Sequence, residues 1–438
     1  MTSSKKRPTL FQDSSFWGMT STQLLGAFND NVFKQLVLLL CIDFSRQTNG
    51  VDYQSIAMGI FALPFVLLSG FAGYLSDKWS KRTIIVACKV LEIIVMLAGL
   101  IVFFYNPQLS KALLFWLFSV LCLMSIQSAL FGPSKYGVLP ELFSDNDLPQ
   151  VNGSIQMTTF LAIILGTAIA GYGKSFVEGV AGVQLWHISL FCVVIAVVGT
   201  GTSLLLRRTP IANENLPFTF SSLAINKETF QMLRTDRKLL GVLLVSSIFW
   251  FIGGLVLPGV NEFGKTQLAI GDFQTSLLAT CMGIGIAMGC LLAGVLSQHQ
   301  IRFGLVTAGA WGLVVGFVLL AIVAGFHWQV EQKGVDLISS SSTIKYASAV
   351  LLVLLGISAG LFVVPLQVFM QSRPPEDQKG RMIGAMNLVN WIGILLSAIF
   401  FGLCTFLFKQ FQLPISLIFV AISLIVLPVA LFYRPQIE

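Results

Sequence analysis

Long apolar runs broken by short polar segments dominate the chain. By length they predict twelve membrane-spanning helices, at about residues 16–41, 54–76, 84–105, 112–132, 149–172, 187–206, 238–258, 271–296, 304–325, 345–370, 382–408 and 414–432. Each is near the roughly 20 residues that cross ~30 Å of hydrocarbon. The runs are continuous and not alternating, which excludes barrel strands. Helices satisfy every backbone N–H and C=O inside one segment, so an apolar run in lipid becomes a helix. Most connections are short. The exception is 207–237, which is polar and carries Arg207, Arg208, Lys227, Arg234 and Arg237. Phe220, Leu223, Phe230 and Leu233 give part of it an apolar face, predicting a helix lying on the membrane.

Composition agrees. Of 438 residues, 55% are hydrophobic and only 11% charged, far more apolar surface than a water-soluble domain can hide. The net charge of +7 fits basic loops at anionic headgroups. No basic patch with interleaved aromatics points to nucleic acid. With both termini cytoplasmic, 18 of the 27 Lys and Arg fall in inner segments, seven fall in outer loops, and Lys34 and Lys89 complete the count inside spans. That asymmetry sets the expected orientation. Lys5, Lys6 and Arg7 precede a first span that is too long and too charged for a cleaved signal, so it is expected to stay. The seven cysteines sit in or at the end of apolar runs and read as free thiols. The expected organisation is a six-helix bundle over 1–206, a cytoplasmic linker over 207–237 and a second six-helix bundle over 238–438. Pro133 is expected to end the fourth span.

The two halves echo each other. "FAGYLSDKWSKR" (71–82) ends span two and "LAGVLSQHQIRF" (292–303) ends span eight; both contain Ala-Gly-x-Leu-Ser, 221 residues apart. Six plus six spans around a long central loop resembles the repeat plan of the major facilitator superfamily. Gly73-x-Leu75-Ser76-Asp77-Lys78-Trp79-Ser80-Lys81-Arg82 resembles that superfamily's cytoplasmic loop signature, departing at Ser80, where glycine is common. The resemblance implies a latch. Asp77 is placed to face the positive end of a helix starting near Arg381. Lys81 and Arg82 either share that gating role or only mark the inner side. Gln298 replaces the acid in the second half.

The polar stretch "GAFNDNVFK" (26–34) interrupts the first span. Asp30 and Lys34 are four apart, hence on one helix face, with the acid N-terminal. Asp30 lies about 22 Å along the helix from Ser15 at ~1.5 Å per residue. Each charge at that depth costs on the order of 3 kcal/mol, so both are expected to face the bundle interior or each other. Lys89 and Glu92 repeat the pattern in span three, Lys89 close enough to the inner end to snorkel. Gln127 in span four and Asn152 and Gln156 in span five are candidate cavity polars or interhelical hydrogen-bonders. Lys135 and Glu141 stand at the cytoplasmic mouth. Gly166, Ala170 and Gly171 read as close-packing points. Deep charge is confined to the first half, whereas the second is rich in aromatics: Phe249, Trp250, Phe251, Phe362, Phe369, Phe400 and Phe401.

Over most of its length the chain resembles the bacterial lysophospholipid transporters of that superfamily. The resemblance rests on "QLLGAFNDNVFK" (23–34), "LPFVLLSGFAGYLSDKWSKR" (63–82), "KVLEIIVM" (89–96), "SALFGPSKYGVLPEL" (128–142), "VNGSIQMTTFLAIILGTAIAG" (151–171), "FWFIGGLVLP" (249–258) and "GRMIGAMNLVN" (380–390). It implies an inner-membrane flippase carrying ethanolamine and glycerol lysophospholipids from the outer to the inner leaflet for reacylation, a functional link to an acyltransferase, and a monomer. On that reading Asp30 takes the ammonium of the headgroup and Lys34 its phosphate. Asn29 and Asn31 add neutral hydrogen bonds. Glu92, Gln127, Asn152 and Gln156 line the binding site, and Asp77, Lys81, Arg82, Lys89, Lys135 and Glu141 serve gating. The aromatics of the second half form an apolar lobe for the acyl chain.

Other readings are weaker. Gly259-x4-Gly264-Lys265-Thr266 matches a phosphate-loop pattern but follows a membrane helix, with no room for a nucleotide domain. None of His187, His299 and His327 has Asp five residues on, as an acyltransferase pair requires, and no metal, cofactor or catalytic set is called for. The rival is a proton-coupled exporter or importer of another amphipathic molecule, with Asp30 or Glu92 as proton carrier. Against it, 112–131 carries no charge, and "LGTAIAGYG" lacks the Gly-Pro signature of drug antiporters.

Overall fold

The computed structural model describes residues 10–48, 52–106, 108–144, 147–211, 227–297, 302–332, 338–373 and 379–434, and among these it holds helices and turns but no strand. In chain order the helices are α1 (Ser14–Thr48), α2 (Tyr53–Lys78), α3 (Lys81–Tyr105), α4 (Lys111–Gly137), the one-turn α5 (Leu139–Leu142), α6 (Leu148–Gly179) and α7 (Trp186–Ser203). Then come α8 (Lys227–Thr235), α9 (Arg237–Glu262), α10 (Asp272–Ser297), α11 (Phe303–Gln332), α12 (Ile338–Ser372), α13 (Lys379–Gln410) and α14 (Leu417–Phe432). Eleven are long and apolar enough to cross a membrane, and α14 adds a shorter apolar helix. The chain is thus a multi-pass membrane protein. The last span begins later than expected because 411–416 turn: Gln412 adopts a φ of 52° and Pro414 brings no N–H. Pro133 does not end α4, which runs on to Gly137. In lipid a neighbouring helix or local adjustment re-satisfies the carbonyl that a proline frees.

The helix ends have chemical causes. Asp52 caps α2, accepting from the backbone N of Gln54 (3.0 Å) and Ser55 (3.3 Å). Ser110 does so for α4 and Asp236 for α9. Asp236 also holds Arg373 at the end of α12 (3.1 Å).

The packing repeats. In the first half α1 packs on α6, α2 on α4, and α3 on both α4 and α7. Advancing each by six spans gives α9 on α13, α10 on α12, and α11 on both α12 and α14, all of which are observed. The halves meet along α6–α10 and α2–α13, two seams that exchange under the same operation. This is the pseudo-twofold plan of six plus six helices. Close crossings use small residues. A Cβ on Gly285 would sit 2.1 Å from the Val353 carbonyl, and one on Gly360 would sit 2.5 Å from the Cys290 nitrogen, so α10 and α12 touch backbone to backbone.

Each half has its own core. One gathers Phe33, Val37, Phe103 and Leu117; the other gathers Phe263, Phe317, Phe362 and Phe401. This corrects the aromatic-lobe expectation: Phe362, Phe369 and Phe401 are buried core residues, and only Phe249, Trp250, Phe251 and Phe400 keep partial exposure. The expected interfacial helix is corrected in part as well. α8 forms, but Leu233 is buried in the second core and does not face lipid. The side chains of Phe220, Leu223 and Phe230 lie outside the described residues.

Candidate functional site

Asp30 and Lys34 sit midway along α1, which is packed by α2, α4, α6 and α7. Their helical spacing puts them on one face, yet they do not pair. Asp30 turns to α4, where one carboxylate oxygen accepts from the Ser128 hydroxyl at 2.6 Å; its other oxygen is buried with no partner. Ser128 also lies 3.1 Å from Gln127 Oε1, but its single proton goes to the charged acceptor. Lys34 turns to α2, its ammonium 5.0 Å from the centre of the Phe61 ring. Both keep partial exposure, and no carboxylate among the described residues lies within ion-pair distance of Lys34. The site therefore holds one acid and one base on a single face, neither in an ion pair with any described residue.

Of the remaining predicted site residues, Asn29 points to α3, donating to Glu92 Oε1 at 3.0 Å. Asn31 spends its amide on the Ala27 carbonyl one turn back. Glu92 is ion-paired with Lys89, and both are almost wholly buried. Lys89 thus does not snorkel. The sequence makes room for it: a Cβ on Gly26 would lie 3.0 Å from its ammonium, and one on Gly199 3.0 Å from Cε. The Asn29–Glu92–Lys89 group ties α1, α3 and α7 together and leaves little free charge for a ligand. Breaking such a pair strands a buried charge, at about 3–5 kcal/mol. Lys89→Met should therefore lower the thermal unfolding temperature of the detergent-purified protein sharply, and Lys89→Met with Glu92→Met should recover much of it; an additive loss would contradict this structural assignment. The side chains of Asn152 and Gln156 lie outside the described residues.

The gating candidates form contacts inside the first half. Lys81 is ion-paired with Glu141, linking α3 to α5; a Cβ on Gly137 would lie 2.9 Å from Lys81 Cε, so that glycine clears the path. Arg82 donates to the carbonyls of Leu206 (2.7 Å) and Leu204 (3.3 Å), completing the end of α7. Lys135 lies 4.5 Å over the Tyr136 ring. Asp77 is exposed, and the Arg381 side chain, its expected neighbour, lies outside the described residues.

At the opposite end, where α1 finishes, the halves are locked. Lys174 of α6 contacts Asp272 of α10 (2.6 Å), Asp43 of α1 (2.7 Å) and Glu178 (2.5 Å). Lys265, in a π-helical turn after α9, contacts Asp272 (2.5 Å) and also pairs with Asp43. Each lysine bridges Asp43 of the first half and Asp272 of the second. Deeper in the bundle, Gln35 donates to Asn261 (3.0 Å) and Ser276 (3.2 Å), and Asn261 donates to Gln54 (3.2 Å). Gly171 lets α6 and α10 close here, since a Cβ would fall 2.7 Å from the Asp272 carbonyl. Midway down the α2–α13 seam Trp391 stacks on Phe65, ring centres 3.7 Å apart. The hydrogen bonds and ion pairs that join described residues across the seams lie on this Asp43 side; at the Asp77 end none is observed among the described residues. Gly171→Leu should hold this side open, raising the labelling of a cysteine placed at Ser276 by a membrane-impermeant maleimide. Labelling no faster than without the leucine would contradict the closed-seam account.

Sequence reasoning missed this lock. By position Lys174 and Lys265 fall among the seven outer-loop charges of the sequence. The visible signal was the amide pattern of Gln35, Gln54 and Asn261 within apolar runs, together with opposite charges at matching helix ends.

Two six-helix repeats closed at one end, with unpaired charges midway along the first helix, define a two-bundle membrane transporter. The family follows from comparison with known proteins: the model of the Major Facilitator Superfamily matches residues 19–398, and the chain belongs to that superfamily. It is similar to the lysophospholipid transporter LplT of Serratia proteamaculans (strain 568), with 26% identity over 89% of each chain. The LplT of Enterobacter sp. (strain 638) is 25% identical, over 89% of this chain and 90% of that one. Among solved structures the fold is similar to a bacterial homologue of the human lysosomal transporter Spinster (TM-score 0.65, 13% identity, 96% of each chain covered). It is also similar to the nucleoside transporter NupG (TM-score 0.64, 11% identity, 93% of this chain and 98% of that one).

Proposed function

We propose that the protein moves lysophospholipids of the ethanolamine and glycerol kinds from the outer to the inner leaflet of the bacterial inner membrane, where an acyltransferase can reacylate them. The observation that carries this reading is the pair Asp30 and Lys34, one turn apart, neither in an ion pair with any described residue. A phosphoethanolamine headgroup brings an ammonium and a phosphate, so it can replace its lost hydration with one contact to each. The sequence relatives named lysophospholipid transporters support the same substrate class. The excess of Lys and Arg on the Asp77 side supports cytoplasmic termini, which makes the Asp43 side the outer one. The boundaries 1–206, 207–237 and 238–438 divide the two rocking bundles from their linker, and one chain suffices for the route.

The mechanism is alternating access. With the outer lock formed, the central site communicates with the inside; substrate binding from outside requires the lock and the amide layer to part. No obligatory ion coupling is needed, because a bilayer leaflet gradient of substrate consumed by reacylation can drive net movement. A second reading, proton coupling through Asp30, draws on its buried unpartnered oxygen. A dithionite leaflet assay on proteoliposomes with fluorescent lysophosphatidylethanolamine separates the two. Protein-dependent movement should persist without proton or sodium gradients; movement that vanishes without a gradient would reject the uncoupled mechanism, and no movement at all would reject the substrate class.

A further inference from the structure

A charged cavity lies outside the central site. It occupies about 640 Å³ at the Asp43 end, between the ends of α1, α9 and α13, and is lined by Arg46, Glu262 and Lys409 along with Asp52 and Thr405. That is the volume of about twenty waters at ~30 Å³ each. Asp52 is committed: it caps α2 and accepts from the hydroxyls of Ser55 (2.5 Å) and Thr405 (2.9 Å). Glu262 is half-buried, and its carboxylate makes no hydrogen bond or ion pair to any described residue. Arg46 and Lys409 supply positive charge on exposed side chains.

The cavity adjoins a cleft of about 450 Å³, sharing Asp52, Thr405 and Lys409 with it, whose other walls apart from Ser55 are apolar, among them Ile56, Gly59, Ala398, Ile399 and Phe406. This cleft follows the α2–α13 seam, and a Cβ on Gly59 would only just reach Ala398, at 3.9 Å. A compartment of mixed charge thus adjoins an apolar slot along the helices. A zwitterion joined to one acyl chain has the same division. A free anion would leave Glu262 and the slot unused, and a neutral amphiphile would leave the cations unused.

We propose that this cavity is an outer docking site for a lysophospholipid. The ammonium sits at Glu262, the phosphate between Arg46 and Lys409, and the chain in the α2–α13 cleft. The assignment rests on the substrate class and orientation given above. It is separate from the Asp30 site, because the Gln35–Asn261–Gln54 layer lies between them. It also adjoins the lock directly. Glu262 follows Asn261, Ser55 follows Gln54, and the Asp52–Thr405 bond that joins the halves forms part of the cavity wall. A headgroup settling here competes for that bond and favours parting of the seam.

The test uses the full chain in dioleoylphosphatidylcholine vesicles. Initial rates of labelled lysophosphatidylethanolamine movement are measured against lysolipid content for the wild type, for the triple variant Arg46→Gln, Glu262→Gln, Lys409→Gln, and for Gly59→Leu, which fills the slot by a different route. Both variants should raise the half-saturating content about tenfold while changing the maximal rate less than twofold. Half-saturation equal to wild type in both would overturn the proposal. Docking is read independently of transport by quenching a fluorophore on Phe411→Cys, an exposed position outside the cavity lining, with nitroxide-chain lysophosphatidylethanolamine. Saturable quenching lost in the triple variant is expected. Displacement of the nitroxide lipid by inorganic phosphate alone would show a plain phosphate site, and absence of saturable quenching would show no site; either overturns the docking claim. A wild type that docks lysolipid but does not move it would instead refute the transport reading and leave the docking site standing.

Discussion

Asp30→Asn should reduce lysophosphatidylethanolamine movement about ten- to a hundredfold while leaving the folded protein intact. The change removes a charge that forms no ion pair with any described lysine or arginine: Asp30 is held by one hydroxyl, from Ser128 at 2.6 Å, which an asparagine oxygen also accepts. The fold therefore loses little. The substrate loses a charge-assisted contact worth about 1.5–3 kcal/mol, which sets the size of the effect. Lys34→Gln should act similarly, since its cation rests only over the Phe61 ring. Leaflet assays on variants that elute as monodisperse protein check both. Wild-type rates in either would mean that the charges on α1 are not read by the substrate.

Lys174→Gln should move the population toward a state open on the Asp43 side. The substitution leaves Lys265 alone against Asp43 and the buried Asp272. Uncompensated buried charge costs about 3–5 kcal/mol, and only the closed state bears it, because opening returns these carboxylates to water. A shift of that size turns over a two-state population by a hundredfold or more. Spin labels at Val180→Cys and Phe411→Cys, one in each half, should report a longer distance in the Lys174→Gln protein. The exchange Lys174→Asp with Asp272→Lys should bring part of the short distance back. An unchanged distance distribution would mean that the ion lock does not hold the seam.

Much of the fold is legible in the chain because lipid leaves few alternatives. An apolar run of 20 residues has to be a helix, and the Ala-Gly-x-Leu-Ser echo marks equivalent helix ends at Ser76 and Ser297. The candidate site is proposed from the same logic, since a charge such as Asp30 inside an oily run needs a reason. What the sequence hides is which neighbour each polar group meets. Spacing alone makes Asp30 and Lys34 partners, yet α4 offers Ser128 to one and α2 offers Phe61 to the other. Lys89 looks like a snorkelling end residue until Gly26 and Gly199 are seen to make space for it beside Glu92. The lock is harder still, because Lys174, Lys265, Asp43 and Asp272 come from four separate segments and only the closed seam brings them together. The aromatics of α12 and α13 look like a tail-binding lobe because composition cannot distinguish core from cavity lining.

The central claim is that the two α1 charges read the two charges of the headgroup separately. Its most direct measurement compares ethanolamine and glycerol lysophospholipids in the same vesicles, with the wild type, Asp30→Asn and Lys34→Gln. Both lipids carry the phosphate, and only the first carries the ammonium. Asp30→Asn should slow the ethanolamine lipid at least fivefold more than the glycerol lipid, whereas Lys34→Gln should slow the two alike. Equal losses for both lipids in Asp30→Asn, or a headgroup-selective loss in Lys34→Gln, would contradict the assignment.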